Sequence, residues 1–529
     1  MSKELLFGDE ARKLLKNGIK TVSNAVKITL GPKGKNVVLD RKYMTPLITN
    51  DGVSIAKEIE LTNPFENMGA SLIKEVSIKT NDQAGDGTTT ACVLAESIIE
   101  AGLKNISSGA NPILLRKGIE KATNAVTKKL KEISKPVSSE KEITQIASIS
   151  AGSEEIGELI SKAFKEVGKD GVITVEESKT SATTLKITQG LEFDKGAISP
   201  YMLPADADHI ELEHPLIFVS NKKLTNLNDL LPLLEKVTQT SRPLLIIAED
   251  IDGEVLSTLT LNTIRGSFIS IAVKCPSFGD KQKEFLEDIA MLTSATFISK
   301  EIFNDLKQIN LEDLGEASNI KVYKDKTIII GGKANQDKIN EKYEYLHSIS
   351  LENLDNFDRV KVEDRLARLS GGVAVIEVGA PSEIEMREKK LRIEDALSAT
   401  KSASKEGIVM GGGCALIRCE DAVTNLINTL TNDEKIGAEI IKIALEAPLR
   451  QIAKNCEQDD GVIVNEVKKL AHENIGYNAL LNRFENMFDA GIIDPTKVTR
   501  CAIENAASVA ASILTTEVLV TDTQITEKK

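Results

Sequence analysis

At 529 residues, with 41% hydrophobic and 27% charged side chains, the chain is too long for one ordinary core and has the composition of a soluble globular protein of two to four domains. A net charge of −13, no tryptophan and only 4% aromatics argue against a nucleic-acid binder, which needs a basic surface and stacking platforms. No run approaches the roughly 18 apolar residues of a membrane span, and the first residues show neither a signal-type apolar block nor an Arg-rich transit pattern, so the chain reads as cytoplasmic.

The first notable segment is a glycine loop, Thr29-Leu30-Gly31-Pro32-Lys33-Gly34-Lys35. It lacks the spacing of a Walker A motif and alone reads as a turn with basic neighbours. Asn50-Asp51-Gly52 follows, and then a polar run, Lys79 to Gln83, leads into Gly85-Asp86-Gly87-Thr88-Thr89-Thr90. An isolated Asp-Gly-Thr is more often a helix cap. Three threonines behind Gly-Asp-Gly shift the reading to a phosphate cradle. The glycines admit an anion close to the backbone, a helix N-terminus offers free N–H groups, and Asp86 is a hard oxygen ligand suited to Mg²⁺.

Beyond the threonines, Ala91, Leu94, Ala95, Ile98 and Ala101 share one helical face. A second helix runs from Pro112, capped by Asn111, through Leu115, Ile119, Ala122, Val126 and Leu130, and stops at Lys135-Pro136. Small residues on these faces suit close helix packing. A helix over Ile156–Val167 and a strand over Val172–Val175 come next. The middle third reads as α/β: a buried strand over Pro243–Ala248, a helix over Gly253–Arg265 and a strand over Phe268–Val273 form one βαβ unit. Thr327–Ile330 reads as a further strand that turns at Gly331-Gly332. A charged helix over Val360–Leu369, a strand over Val373–Val378 and a long Glu/Lys-rich helix over Glu383–Ser404 follow. Gly407 and Gly411-Gly412-Gly413 then interrupt before alanine-rich helices that reach about Thr516. Helical ends that bracket an α/β middle suggest one domain made from both termini with the middle inserted, hence a multidomain α and α/β fold.

The six cysteines (Cys92, Cys275, Cys414, Cys419, Cys456, Cys501) match no common zinc spacing and read as free buried thiols. His209, His214, His347 and His472 form no ligand cluster and read as surface residues.

The segments Thr29–Lys35, Asp51-Gly52-Val53, Gly85–Thr90, Glu394-Asp395-Ala396-Leu397, Gly411-Gly412-Gly413, Gly476-Tyr477-Asn478-Ala479 and Asp494–Arg500 resemble the group I chaperonins, of the bacterial GroEL-type large subunit. The resemblance runs from about residue 2 to residue 522. It implies an ATP hydrolase of the protein-folding kind. Its domains would be an equatorial ATP-binding domain (1–132 and 407–529), an intermediate domain (133–189 and 373–406) and an apical client- and lid-binding domain (190–372). It implies an ATP site at Thr29, Leu30, Gly31, Pro32, Asn50, Gly87, Thr88, Thr89 and Thr90, with Asp86 on Mg²⁺, Asp51 beside the γ-phosphate and K⁺ near the Thr29 backbone. Gly412, Asn478, Ala479 and Asp494 would hold the adenine and ribose. Asp395 would activate the attacking water, and its distance along the chain implies that domain closure brings it in.

For the apical rim the resemblance implies Tyr201, Met202, Leu231, Leu234, Leu256, Thr260 and Leu261, as the binding site for unfolded clients and a GroES-type co-chaperonin. It also implies assembly into two stacked seven-membered rings. Ala197 and Thr260 replace an aromatic and a valine usual in the family, which predicts a less apolar rim. Asn50 replaces the usual lysine before Asp51. Pro136 and Gly407 would flank a lower hinge, and Gly190 and Gly372 an upper one. The alternative is a divergent paralogue acting as a protein-binding scaffold with weakened client or lid binding. A small-molecule phosphotransferase lacks an evident substrate pocket, and a chaperonin with a built-in lid lacks an evident apical protrusion.

Overall fold

The computed structural model describes residues 3–40, 46–137, 139–168, 171–178, 180–204, 207–277, 279–300, 306–350, 362, 365–366, 369, 372–470 and 474–522. His472 and most of the helix expected over Val360–Leu369 lie outside these residues. The chain forms two compact units: residues 1–162, 177–183 and 378–529 make one, and 163–176 and 184–377 the other.

The first unit is helical and joins both ends of the chain. Lys3–Phe7 and Val518–Asp522 pair as antiparallel strands. Four long helices carry the core: Gly8–Lys27, Pro64–Ala84, Thr88–Ser107 and Pro112–Ile133, together with Thr496–Leu514 from the far end of the chain. Their starts follow from capping chemistry. The Asn63 side chain accepts from the N–H groups of Phe65 and Glu66, and Asn111 from those of Ile113 and Leu114, each before a first-turn proline. Leu115, Ile119, Ala122, Val126 and Leu130 are all buried, as the periodicity predicts.

Small residues let these helices touch. A Cβ on Gly118 would lie 2.0 Å from the Glu434 carbonyl oxygen, and one on Gly437 2.2 Å from that of Leu115. The helices Pro112–Ile133 and Asn432–Ala444 therefore pack backbone to backbone. All six cysteines are free and buried.

The second unit is built on a nine-stranded mixed sheet. Its spatial order is Ser270–Lys274, Leu244–Ala248, Leu216–Val219, Gly315–Tyr323, Thr327–Gly332, Thr184–Phe193, Gly372–Val378 and Val172–Glu177, and His209–Glu213 also pairs with Gly315–Tyr323. The βαβ unit is present: Leu244–Ala248 and Ser270–Lys274 are parallel neighbours joined by the helix Gly253–Ile264. Leu244 to Ala248 is buried throughout, which is why the run is continuously apolar rather than alternating.

Thr327–Gly332 continues as strand through the two glycines that were expected to turn. Gly190 and Gly372 sit within paired strands, opposite Ile330 and Gln189. At Gly190 the lack of a side chain serves close approach, since a Cβ there would lie 2.3 Å from the Ile329 carbonyl oxygen.

His209 departs from the expected surface role. Its imidazole lies between Asp208 (2.6 Å) and Glu211 (3.3 Å) and stacks on Tyr323. The two carboxylates raise its pKa to about 9.

Candidate functional site

The cradle forms where three chain segments of the first unit meet. Helix Pro64–Ala84 ends in Gly85, and helix Thr88–Ser107 starts behind Gly87; both glycines are left-handed, at φ 70° and 82°. Gly87 offers no side-chain cap, so the first N–H groups of the threonine helix are left for a ligand or solvent. Asp51 caps the short helix Gly52–Glu58 by accepting from the N–H groups of Val53 and Ser54. Gly52 lies directly against the threonines: a Cβ there would come within 2.4 Å of Thr89 Oγ1 and 2.8 Å of Thr88 Oγ1. The third segment is the loop Thr29–Lys35. Thr29 Oγ1 donates to the Val26 carbonyl and lies 3.4 Å from Thr89 Oγ1. Gly31 is left-handed, at φ 87°. Asn50, before Asp51, is exposed.

Acidic side chains converge here. Ser150 Oγ donates to Asp86 Oδ2 (3.1 Å), and Gly87 N–H donates to Asp86 Oδ1. Burial pushes the Asp86 carboxyl up; these two donors oppose the rise, and the charge of Asp51 adds to it. Burial likewise holds Asp395 well above the usual carboxylate range, reinforced by Asp51, Asp86 and Glu394. Asp494 is raised to about 7 by burial and by the charge of Asp86. Such mutual repulsion is what a bound cation relieves. Among the described residues no group of three His, Cys, Asp or Glu side chains forms a closed metal cage. The donor present is the hard carboxylate oxygen of Asp86, the ligand type that Mg²⁺ takes when phosphate and water oxygens complete its shell.

Asp395 already stands at this site. Its helix, Glu383–Glu406, packs on the Gly85 turn, where a Cβ on Gly85 would lie 2.1 Å from the Cβ of Ser398. Ser402 Oγ donates to the Ala84 carbonyl (3.0 Å). In this conformation the long helix rests on the cradle, and the absence of a side chain at Gly85 permits that approach.

The expected base-side residues surround a smaller core of the same unit. The strand Ile408–Met410 pairs with Ile493–Pro495, setting Val409 opposite Asp494. Gly411 abuts the Asp494 carboxylate and Gly412 is left-handed, at φ 64°. Asn478 and Ala479 are buried at the end of the hairpin Ile475–Asn478/Arg483–Asn486. The Asn478 side chain is committed within the hairpin: its oxygen accepts from the N–H groups of Leu480 and Leu481, and its amide donates to Glu485. Leu30 packs against the same core.

At the expected lower hinge, Lys135 and Ile408 exchange two backbone hydrogen bonds, beside left-handed Gly407. Sequence reasoning missed Ser150, which reaches Asp86 from the helix Glu140–Ala151, and Asn455, whose amide donates to the Lys27 and Leu30 carbonyls. Neither has a local motif, so only the folded chain reveals them.

In the second unit the expected rim divides in two. Tyr201 (75% exposed), Leu231 and Leu261 face outward, and Leu256 is partly buried. Met202 and Leu234 correct the expectation. They are 1% and 7% exposed and belong to the core beneath helices Gly253–Ile264 and Leu227–Gln239. Ala197 is tied down by backbone bonding to Tyr323. The Thr260 hydroxyl donates to the Leu256 carbonyl one turn back, so its polarity is spent within the helix. Ile264, 60% exposed and one turn beyond Leu261, is an apolar outward residue that sequence reasoning missed.

A helical unit made from both chain ends and holding an acidic, glycine-lined cradle, with an α/β unit inserted between those ends in the sequence, has the multidomain α and α/β architecture of a chaperonin. The chain belongs to the TCP-1/cpn60 chaperonin family, whose model matches residues 22–524. Among solved structures, the chaperonin gp146 from the bacteriophage EL 2 (Pseudomonas aeruginosa), crystallised in the presence of ATP-BeFx, matches with a TM-score of 0.69. The match covers 98% of this chain and 99% of that one at 20% identity, a likeness of fold.

Proposed function

We propose that the chain is an ATP-hydrolysing chaperone of the GroEL type, acting in the cytoplasm, which binds non-native proteins on its apical face and folds them in a ring cavity closed by a GroES-type co-chaperonin. The observation that carries this reading is the convergence of Asp51, Asp86 and Asp395 on the Gly-Asp-Gly-Thr-Thr-Thr helix start. Phosphoryl transfer needs positioning and charge neutralisation more than covalent chemistry. Gly31, Gly87 and Thr88 to Thr90 would cradle the phosphates, and Asp86 would hold Mg²⁺, which neutralises phosphate charge. Asp51 would face the γ-phosphate, and Asp395 would orient the attacking water and accept its proton. Gly412, Ala479 and Asp494 would hold the nucleoside. A K⁺ ion beside the Thr29 carbonyl, and assembly into two stacked seven-membered rings, belong to the same reading.

Client binding rests on Tyr201, Leu231, Leu261 and Ile264, whose exposed apolar area gives an unfolded segment a non-directional hold. The burial of Met202 and Leu234 favours a second reading, a scaffold with a narrow client range. ATP-driven refolding of a denatured client, with and without a GroES-type lid, separates the two. The chaperone reading expects lid-dependent recovery of client activity. Hydrolysis without any recovery would leave the scaffold.

A further inference from the structure

One short helix, Ala447–Asn455, touches both walls of the candidate nucleotide cleft. At its start, a Cβ on left-handed Gly413 would lie 2.8 Å from the Leu449 backbone nitrogen and 3.3 Å from Pro448 Cβ, so the base-side glycine turn rests directly on the first helical turn. At its end, a Cβ on Gly31 would lie 3.1 Å from Ile452 Cγ2, and the Asn455 amide donates to the carbonyls of Lys27 (2.9 Å) and Leu30 (2.8 Å). Gln451 Nε2 donates to Asn455 Oδ1 (2.8 Å), which fixes which way the amide faces. Leu449 and Asn455 are six residues apart, or about 9 Å along the helix axis, the order of the distance from the base to the phosphates of a nucleotide. The helix is itself anchored: Arg450 pairs with Glu446 and with Asp460 of the next helix.

We infer that this helix is a splint that sets the spacing between the base side and the phosphate side of the cleft, and that Asn455 is the positioning residue that holds the phosphate loop. The inference rests on the nucleotide reading above and deepens it. The loop Thr29–Lys35 follows the last turn of helix Gly8–Lys27, where carbonyls have no helical partner. Asn455 donates to the last of these, on Lys27, and to the loop carbonyl of Leu30, and so ties Leu30, and with it Gly31, to the end of that helix. Asn455 touches no reacting atom; it acts through the loop.

The test uses the full-length assembled protein and three probes: ATP, inorganic tripolyphosphate and adenosine. For Asn455→Ala the expected result is an increase of about tenfold in KM and Kd for ATP, the order of one hydrogen-bonded group's contribution. A parallel weakening of tripolyphosphate is expected, with unchanged adenosine binding and kcat within about twofold. Asn455→Ser, which keeps one donor, should recover part of the loss, and Lys454→Ala, on the exposed side of the same helix, should change none of these. If Asn455→Ala does not fold, Gln451→Ala decides, with a smaller KM increase expected and none overturning the idea. An unchanged KM in Asn455→Ala, or equal weakening of adenosine and tripolyphosphate, overturns the positioning role. Wild-type protein that binds neither ATP nor tripolyphosphate overturns the nucleotide reading itself, and the inference with it.

Discussion

The glycine-lined cradle of the helical unit and the proposed apical face of the α/β unit hold their shapes by different means. In the cradle the backbone decides: Gly52 and Gly85 sit where a Cβ would collide with Thr89 and Ser398, and the close approach they permit brings the acidic side chains together. On the apical face the backbone is an ordinary βαβ unit, and side-chain exposure decides which residues can meet a partner. A change in the cradle should therefore act through geometry even when chemically mild. A change on the apical face should act through stability if the residue is buried and through binding if it is exposed.

The sharpest way to break this contrast is to truncate the buried apical pair. Leu234→Ala and Met202→Ala should each cost about 2–5 kcal/mol of stability in denaturant titration. Leu261→Ser and Ile264→Ser should leave stability within about 0.5 kcal/mol yet weaken capture of a denatured client. Equal stability losses in both pairs would erase the distinction between core and rim.

In the cradle, Gly85→Ala combines an unfavourable φ of 70° with a Cβ placed 2.1 Å from that of Ser398. It should cost about 1–3 kcal/mol and slow hydrolysis more than it weakens ATP binding, because the helix bearing Asp395 must shift. Gly109→Ala shares the positive φ (98°) but meets nothing within 4 Å. It should leave hydrolysis unchanged.

Much of the cradle was legible because its chemistry is local: a left-handed glycine before a threonine-rich helix start can be read from neighbouring residues. Asp395 was not legible this way. It sits in a charged helix whose pattern is that of any solvated surface, and only the family resemblance singled it out. That its helix rests on the Gly85 turn depends on Ser398 and Ser402, small residues with no signature. On the apical face, helical periodicity marks Leu231 and Leu234 alike, since both fall on one face a turn apart. Periodicity gives the direction of a side chain but not what covers it, and Leu234 is covered; Met202, singled out by the family resemblance alone, lies in the short turn Pro200–Met202 and is buried too. The strand through Gly331-Gly332 is hidden for a related reason: glycine marks a turn in isolation, but here the neighbouring strand supplies the pairing.

The smallest expected effect is a pH dependence of the second unit. His209, at about 9, gains stability from Asp208 and Glu211 only while protonated. That contribution is fully present below about 6.5, the ordinary histidine value, and is lost as pH rises through about 9. His209→Gln should flatten the slope of stability between these limits. Asp208 is largely exposed, so the change should be small and should shrink further in high salt.

The central claim, that Asp395 completes an ATP-hydrolysing site in the helical unit, is tested most directly by Asp395→Ala, with ATP binding and single-turnover hydrolysis measured on the same preparation. The account predicts ATP affinity within a few-fold of wild type and hydrolysis slower by about 10²–10⁴-fold, the usual contribution of a positioned general base. Hydrolysis at the wild-type rate would contradict it.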